Sequence, residues 1–256
     1  MAHYLPHHQQ GARFPERQRP YDDNNTQRPN RPELWRRNVV AVIFNEDGHV
    51  LGCNRKDRKG WQCVQGGVED DDKEILAAAW REIDEEIGLL EKEHRLEFVS
   101  VLPPPNNDPT VLRYKFPKFA APGLRAQGYV GQQQELLLFF APKEAIKFVR
   151  LVPTPQHIAA GAKQEFRGVS WLSFEEFIPK TSDFKLHIFS HMHTTSWPII
   201  VDFLDKRFGK VDRPFQGAQN GAATNYEEAA YAKPSGNMAR VREREEEVPR
   251  KQHEKA

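Results

Sequence analysis

Three glutamates in this sequence, Glu82, Glu85 and Glu86, stand at i, i+3 and i+4. At about 100° per residue their carboxylates share one face of a helix. Beside it, Leu76, Ala79, Trp80, Ile83 and Ile87 form an apolar face fit to pack on a sheet. Gly66 and Gly67 precede the segment and Gly88 ends it, as a glycine just past a helix does. Like charges one turn apart repel by a few tenths of a kcal/mol on an exposed helix, about the size of an ordinary i,i+4 pair. Keeping three together beside a buried face points to a hard divalent cation, because Mg²⁺ takes oxygen ligands. A solvated acidic face is the plainer alternative.

The stretch from Gln65 to Leu89, QGGVEDDDKEILAAAWREIDEEIGL, resembles the Nudix box, G-x5-E-x7-R-E-U-x-E-E-x-G-U, with U a bulky apolar residue. Arg81, Glu82, Ile83, Glu85, Glu86, Gly88 and Leu89 match its second half position for position. The first half departs. The family's first glutamate falls on Lys73, the glycine in register is Gly67 rather than Gly66, and the loop VEDDD is one residue longer than usual. In the family that glutamate anchors the box arginine, here Arg81. Asp72 or Glu74 is expected to take its place.

Further stretches sharpen the resemblance. WRRNV, GWQCVQGG, LRYKFPK, VGQQQELLLFF, KQEFRGVSWLS and SDFKLHIF look like stretches found in this order in one Nudix branch. It holds the bacterial-type RNA 5′-pyrophosphohydrolases and plant-type asymmetric diadenosine tetraphosphate hydrolases. The likeness runs from Trp35 to Phe208, about two-thirds of the chain. It implies that Glu82, Glu85, Glu86 and Glu165 are catalytic and bind Mg²⁺, which Mn²⁺ can replace. It implies that Arg36, Gln65, Tyr114, Lys115, Lys118, Gln132 and Gln134 face the substrate. Gly66, Gly67, Arg81 and Gly88 are then the structural residues of the box. Each assignment has a plainer rival: Glu165 a surface charge, Arg36 an exposed edge residue, Tyr114 a cross-strand packing residue. Trp61 and Trp171 read as core, and Lys185 and His187 as a helix surface.

The elements that must position these groups follow from pattern. Asn38 to Phe44 reads as a strand, NEDG as a hairpin turn, and His49 to Arg55 as its partner. GWQCVQGG is a third strand leading into the box helix. Arg95 to Leu102, Val111 to Phe116, Val130 to Ala141 and Phe166 to Leu172 continue the strands, with PPPNNDPT and Phe119 to Gly128 as loops. Phe174–Phe177 is a short helix. Phe184 to Phe208 has helical spacing, with Leu186, Phe189, Trp197, Ile200 and Phe203 facing inward and Pro198 expected to kink or interrupt it. This order predicts an α/β protein with the Nudix fold, a mixed β-sheet sandwiched between helices. Residues 35–209 make the Nudix domain. Residues 1–34 read as a disordered arm bearing arginines, and 210–256 as a disordered charged tail.

The 256 residues carry 37 basic and 36 acidic side chains, so net charge (+1) names no partner. Two cysteines, Cys53 and Cys63, fit a reducing compartment and exclude a disulfide framework. No apolar run approaches the roughly 20 residues of a membrane span. The reading is an intracellular, cytoplasmic protein without membrane contact; a mitochondrial presequence is the weaker alternative. Three functions follow from the resemblance: removal of pyrophosphate from 5′-triphosphate RNA, hydrolysis of dinucleoside polyphosphates such as diadenosine tetraphosphate, or a weakly active RNA-binding subunit. In the last, a protein partner would attach through the tails.

Overall fold

Valine, isoleucine and phenylalanine fill the run from Val39 to Phe44 without alternation, the pattern of a strand covered on both faces. The computed structural model, which describes residues 32–210, places that run at the centre of a sheet. In chain order the elements are β1 (Leu34–Phe44), β2 (Val50–Arg55), β3 (Trp61–Gln62), β4 (Val64–Gly67), α1 (Ile75–Ile87), α2 (Glu91–His94), β5 (Glu97–Leu102), β6 (Arg113–Lys115), α3 (Pro122–Ala126), β7 (Tyr129–Phe140), α4 (Pro155–Ala159), β8 (Phe166–Leu172), α5 (Phe174–Phe177) and α6 (Leu186–Phe208). Short 3-10 turns lie between several of them. The expected arms fall outside the described residues, apart from residues 32–34 and 210.

β1 runs parallel to β7 along its whole length, from Leu34↔Tyr129 to Phe44↔Phe140. Its other edge pairs antiparallel with β4 and, at Phe44↔Val50, with β2. β5 and β6 extend β7, while β3 and β8 extend β2. The sheet is mixed, as expected. Its two faces bury separate cores in strict alternation. Val40, Val42, Phe44, Leu136, Leu138 and Phe140 pack under α6, against Ile188, Phe189, Met192, Ile200 and Leu204. Val39, Ala41, Ile43, Leu137 and Phe139 pack under α1, against Ala78, Ala79, Ile83 and Ile87. Each large side chain so buried contributes about 1.5–3 kcal/mol of transfer free energy.

Some expectations need correction. The stretch Phe119 to Gly128, read as loop, carries α3 at Pro122–Ala126, where Pro122 opens a helical turn. The strand expected from Val111 begins only at Arg113, after a 3-10 turn. GWQCVQGG is two short strands because the chain changes partner at Cys63: β3 pairs with β2, and β4 with β1. Of the two outcomes expected at Pro198, a kink or an interruption, the interruption does not occur: the last helix runs from Leu186 to Phe208 with the proline inside it. Its cost, about 3 kcal/mol in a helix interior, is offset by the burial of Trp197, Ile200 and Leu204 around it. Trp61 and Trp171 pack against the two cores, as read. Among the described residues no helix is long and apolar enough to cross a membrane.

Candidate active site

The apolar face of α1 fixes its rotation, and that rotation turns Glu82 and Glu86 toward the end of β4. Both are 9% exposed. The Gln65 backbone N–H donates to Glu86 Oε2 at 3.1 Å. Gly66 must be glycine for reasons of space: a methyl there would overlap the Glu82 carboxylate. Glu165 enters from the loop before β8, where its carbonyl accepts from the Lys56 N–H at 2.8 Å. Its carboxyl comes close enough to Glu86 and Glu82 to oppose their ionisation. Burial, then the charges of Glu165 and Glu82, push the Glu86 carboxyl well above its ordinary range. Burial likewise pushes Glu82 up to about 7, against the pull of Arg81. Glu85 is half-buried on the same helix, 3.7 Å from Arg81.

The box loop is organised by Arg81. Its Nη2 donates to the Gly67 carbonyl and to Asp72 Oδ2, both at 2.8 Å, and its Nη1 to Glu82 Oε1 at 2.8 Å. Asp72 also accepts the Glu69 backbone N–H at 2.8 Å, so one carboxylate closes the loop and holds the arginine. The Arg81 guanidinium holds the Asp72 carboxyl below its usual range. Of the two expected substitutes, then, Asp72 makes the contact. Glu74 sits at the N-cap of α1, where its side chain caps nothing. Gly88 ends the helix at φ 67°, donating to the Ile83 and Asp84 carbonyls.

Across the sheet end stands a second group of residues. Lys185 is 7% exposed rather than on a helix surface, because the 3-10 turn before α6 aims it inward. Its Nζ donates to Gln65 Oε1 at 2.9 Å and lies 4.9 Å from the Tyr114 ring centroid. Burial lowers its pKa to about 8. Tyr114, buried, donates its hydroxyl to Gln132 Oε1, and burial raises its pKa to about 12. Gln134 Nε2 meets the same Gln132 oxygen at 3.4 Å. The Arg36 guanidinium lies where a side chain at Gly67 would begin, which is why that position is also glycine. His187 is half-buried against the Arg113 carbonyl at 3.1 Å, again not free surface. Arg55 carries a bidentate pair with Asp57 and a 2.9 Å bond to Gln62. It is close enough to Glu86, Glu165, Tyr114 and Lys185 to act on them electrostatically.

The remaining candidates are not gathered with these. Strand alternation turns Lys115 to the face of β6 opposite Tyr114, and it is exposed. Lys118 is exposed, with its ammonium 5.2 Å from the Phe119 ring centroid. Lys185 and Arg55 are what the sequence reading missed. Lys185 had a signal, the match of SDFKLHIF, but it reads from the sequence as helix surface.

Chemically, buried carboxylates that oppose one another's ionisation suit a hard cation, which would neutralise them with oxygen ligands. The donor set of Glu82, Glu86 and Glu165 fits Mg²⁺ in kind. Among the described residues no three His, Cys, Asp or Glu side chains stand as a ready-made cage; Glu82 is turned to Arg81.

A sequence model of the NUDIX domain matches residues 34–192. The chain is 32% identical over 145 residues to a protein of Xylella fastidiosa named RNA pyrophosphohydrolase, covering 56% of this chain and 66% of that one. It is 29% identical over 186 residues to the RNA pyrophosphohydrolase of Ruthia magnifica, covering 72% and 93%. Among solved structures, a C. elegans Ap4A hydrolase complex aligns at 15% identity and TM-score 0.41, over 62% of this chain and 96% of that one. With a family match over more than half its length and an intact R-E-U-x-E-E half-motif carried on α1, the chain belongs to the Nudix family.

Proposed function

We propose that this protein hydrolyses phosphoanhydride bonds and that its substrate is the 5′-triphosphate end of RNA, from which it releases pyrophosphate. The observation that carries the reading is the opposition, across the end of one sheet, of buried carboxylates and a buried ammonium joined through Gln65. The name shared by the relatives supports RNA as the substrate.

Glu82, Glu86 and Glu165, with Glu85 beside them, would hold Mg²⁺, or Mn²⁺ in its place. When bound, such ions neutralise the polyphosphate and lower the pKa of water. The protein supplies the rest. Lys185 offers a compact positive charge, and Arg36 a planar fork, to the phosphate oxygens. Tyr114 and Gln132 hold each other, and Tyr114 packs beside Lys185. A water oxygen bonds to the phosphorus nearest the RNA, the bridging P–O bond breaks, and pyrophosphate leaves. The water proton passes to Glu165, which is exposed and lies beside Glu86.

The test measures Mg²⁺-dependent release of phosphate products from 5′-triphosphate RNA and diadenosine tetraphosphate side by side. Pyrophosphate from RNA is expected. Turnover of the dinucleotide alone would replace the substrate, and turnover of neither would leave an RNA-binding subunit.

A further inference from the structure

Phe119 is 87% exposed and has φ 70°, in the left-handed region. A bulky residue there is a genuine outlier, held only where its surroundings over-determine it. Here they do. Arg125, on α3, donates Nε to the Ala120 carbonyl (3.0 Å) and Nη2 to those of Phe116 (2.6 Å) and Pro117 (3.1 Å). The same guanidinium lies 5.8 Å from the Phe116 ring centroid. The Ala120 N–H closes a turn onto the Pro117 carbonyl at 2.9 Å. One arginine thus ties the loop on both sides of Phe119, fixing the backbone while leaving the ring bare.

The only described side chain with its charge over that ring is Lys118, whose Nζ lies 5.2 Å from the centroid. The loop begins where β6 ends. Three residues separate Lys115 from Phe119, four backbone steps with a reach of at most about 14 Å. Tyr114, next to Lys115, already lies against Lys185 and Gln132 in the site. A rigid flat apolar surface with an ammonium beside it suits an unpaired nucleobase and its phosphate, which stack and pair with such groups regardless of sequence. It suits a protein partner less, since its nearest chain neighbours, Lys118 and Ala120, add little apolar surface.

We propose that Phe119, with Lys118, is a stacking platform for an unpaired base of the RNA downstream of its 5′ end. The proposal rests on the RNA 5′-end reading above, and it gives Lys118 a place along the strand rather than at the polyphosphate.

The test compares full-length wild type, Phe119→Ala, Phe119→Leu and Phe119→Trp. Each is assayed on an unpaired 5′-triphosphate oligonucleotide and on a triphosphorylated dinucleotide, which lacks the downstream strand. Phe119→Ala and Phe119→Leu should raise KM for the oligonucleotide roughly 5- to 100-fold, the range of lost base stacking. In both variants kcat and the dinucleotide KM should stay unchanged, and Phe119→Trp should keep the wild-type KM. Equal oligonucleotide KM values for wild type and Phe119→Ala overturn the platform alone. So does an equal loss on both substrates, which would make the residue a prop of the loop. A change confined to self-association in size-exclusion chromatography assigns the ring to a protein contact and also overturns it. Wild type that hydrolyses diadenosine tetraphosphate but no RNA overturns the underlying reading, and the platform with it.

Discussion

Two walls face each other across the sheet end, and they are built by opposite strategies. The carboxylate wall is nearly continuous in sequence: Glu82, Glu85 and Glu86 lie within two turns of α1, and only Glu165 arrives from afar. The cationic wall is assembled from Arg36 on β1, Tyr114 on β6, Gln132 on β7 and Lys185 in the turn before α6. A helix can present several groups on one face from local periodicity, whereas a wall made of single side chains from separate elements exists only after the sheet has closed. The two meet on three residues. Gln65 gives its N–H to Glu86 and its side-chain oxygen to Lys185, while Gly66 and Gly67 leave room for Glu82 and Arg36.

The hardest way to break the carboxylate wall is Glu86→Gln. It keeps size and the bond from Gln65 but removes a ligand and the ionisable neighbour of Glu165, so kcat should fall by about 10²–10⁴. The fold should survive, with Tm unchanged or slightly raised, because the variant relieves a buried carboxylate of its neighbours' repulsion. Near-normal turnover at saturating Mg²⁺ rules the role out.

The glycine pair separates the walls. Gly66→Ala drives a methyl into the Glu82 carboxylate, and Gly67→Ala drives one into the Arg36 guanidinium. Displacing a catalytic group by about 1 Å can cost on the order of a hundredfold. Gly66→Ala should therefore lower kcat about 10- to 100-fold with KM little changed. Gly67→Ala should act mainly by raising KM, since Arg36 holds substrate. The same kcat and KM pattern in both variants would mean that the dipeptide shapes one site rather than dividing two functions.

What was legible in the sequence follows the same division. The α1 face, its Gly88 stop, β7, β8 and the α5 turn could be read because period, caps and apolar runs are local. Glu165 and Tyr114 could be read only through motif resemblance, since nothing within a few residues marks them. Lys185 was misplaced because a lysine near a helix start is usually solvated, and its burial depends on Gln65, 120 positions earlier. That the helix continues through Pro198 was not legible for a related reason: the packing of Trp197 and Ile200 that offsets the proline is tertiary. The split of the third strand at Cys63 likewise depends on partners that become neighbours only in the sheet.

The cationic wall can be probed by pH as well as by substitution. With its pKa lowered to about 8 by burial, Lys185 should lose its charge, and KM should rise, as pH climbs above that value. Lys185→Met should raise KM about tenfold at pH 7, the size of a lost charge-assisted bond, and flatten this rise. The stability effect has the opposite sense. Between about 8 and the ordinary lysine value near 10.4 the unfolded chain holds a proton that the folded chain lacks. Stability should therefore increase with pH in that window, and urea titrations of the variant should show no such increase.

The smallest effect should come from the loop that supports the carboxylate wall. Asp72 stands in for the acid that Lys73 displaces, and it binds Arg81 at 2.8 Å while closing the loop on the Glu69 N–H. Asp72→Asn keeps the side-chain shape and an acceptor oxygen but drops the charge. A partly exposed ion pair contributes up to about 1 kcal/mol, so the loss of stability at pH 7 should be no larger. Because the folded-state pKa of Asp72 is depressed, that contribution is present above the ordinary aspartate value of about 3.9 and disappears as pH falls through the lower folded value. Wild type and variant should therefore converge in stability under acid. Arg81 also grips Glu82, so loosening it should lower kcat severalfold through position rather than charge. Glu74→Gln, at a side chain that caps nothing, should change neither quantity. If Glu74→Gln slowed turnover and Asp72→Asn did not, the anchor of Arg81 would belong to the other acid.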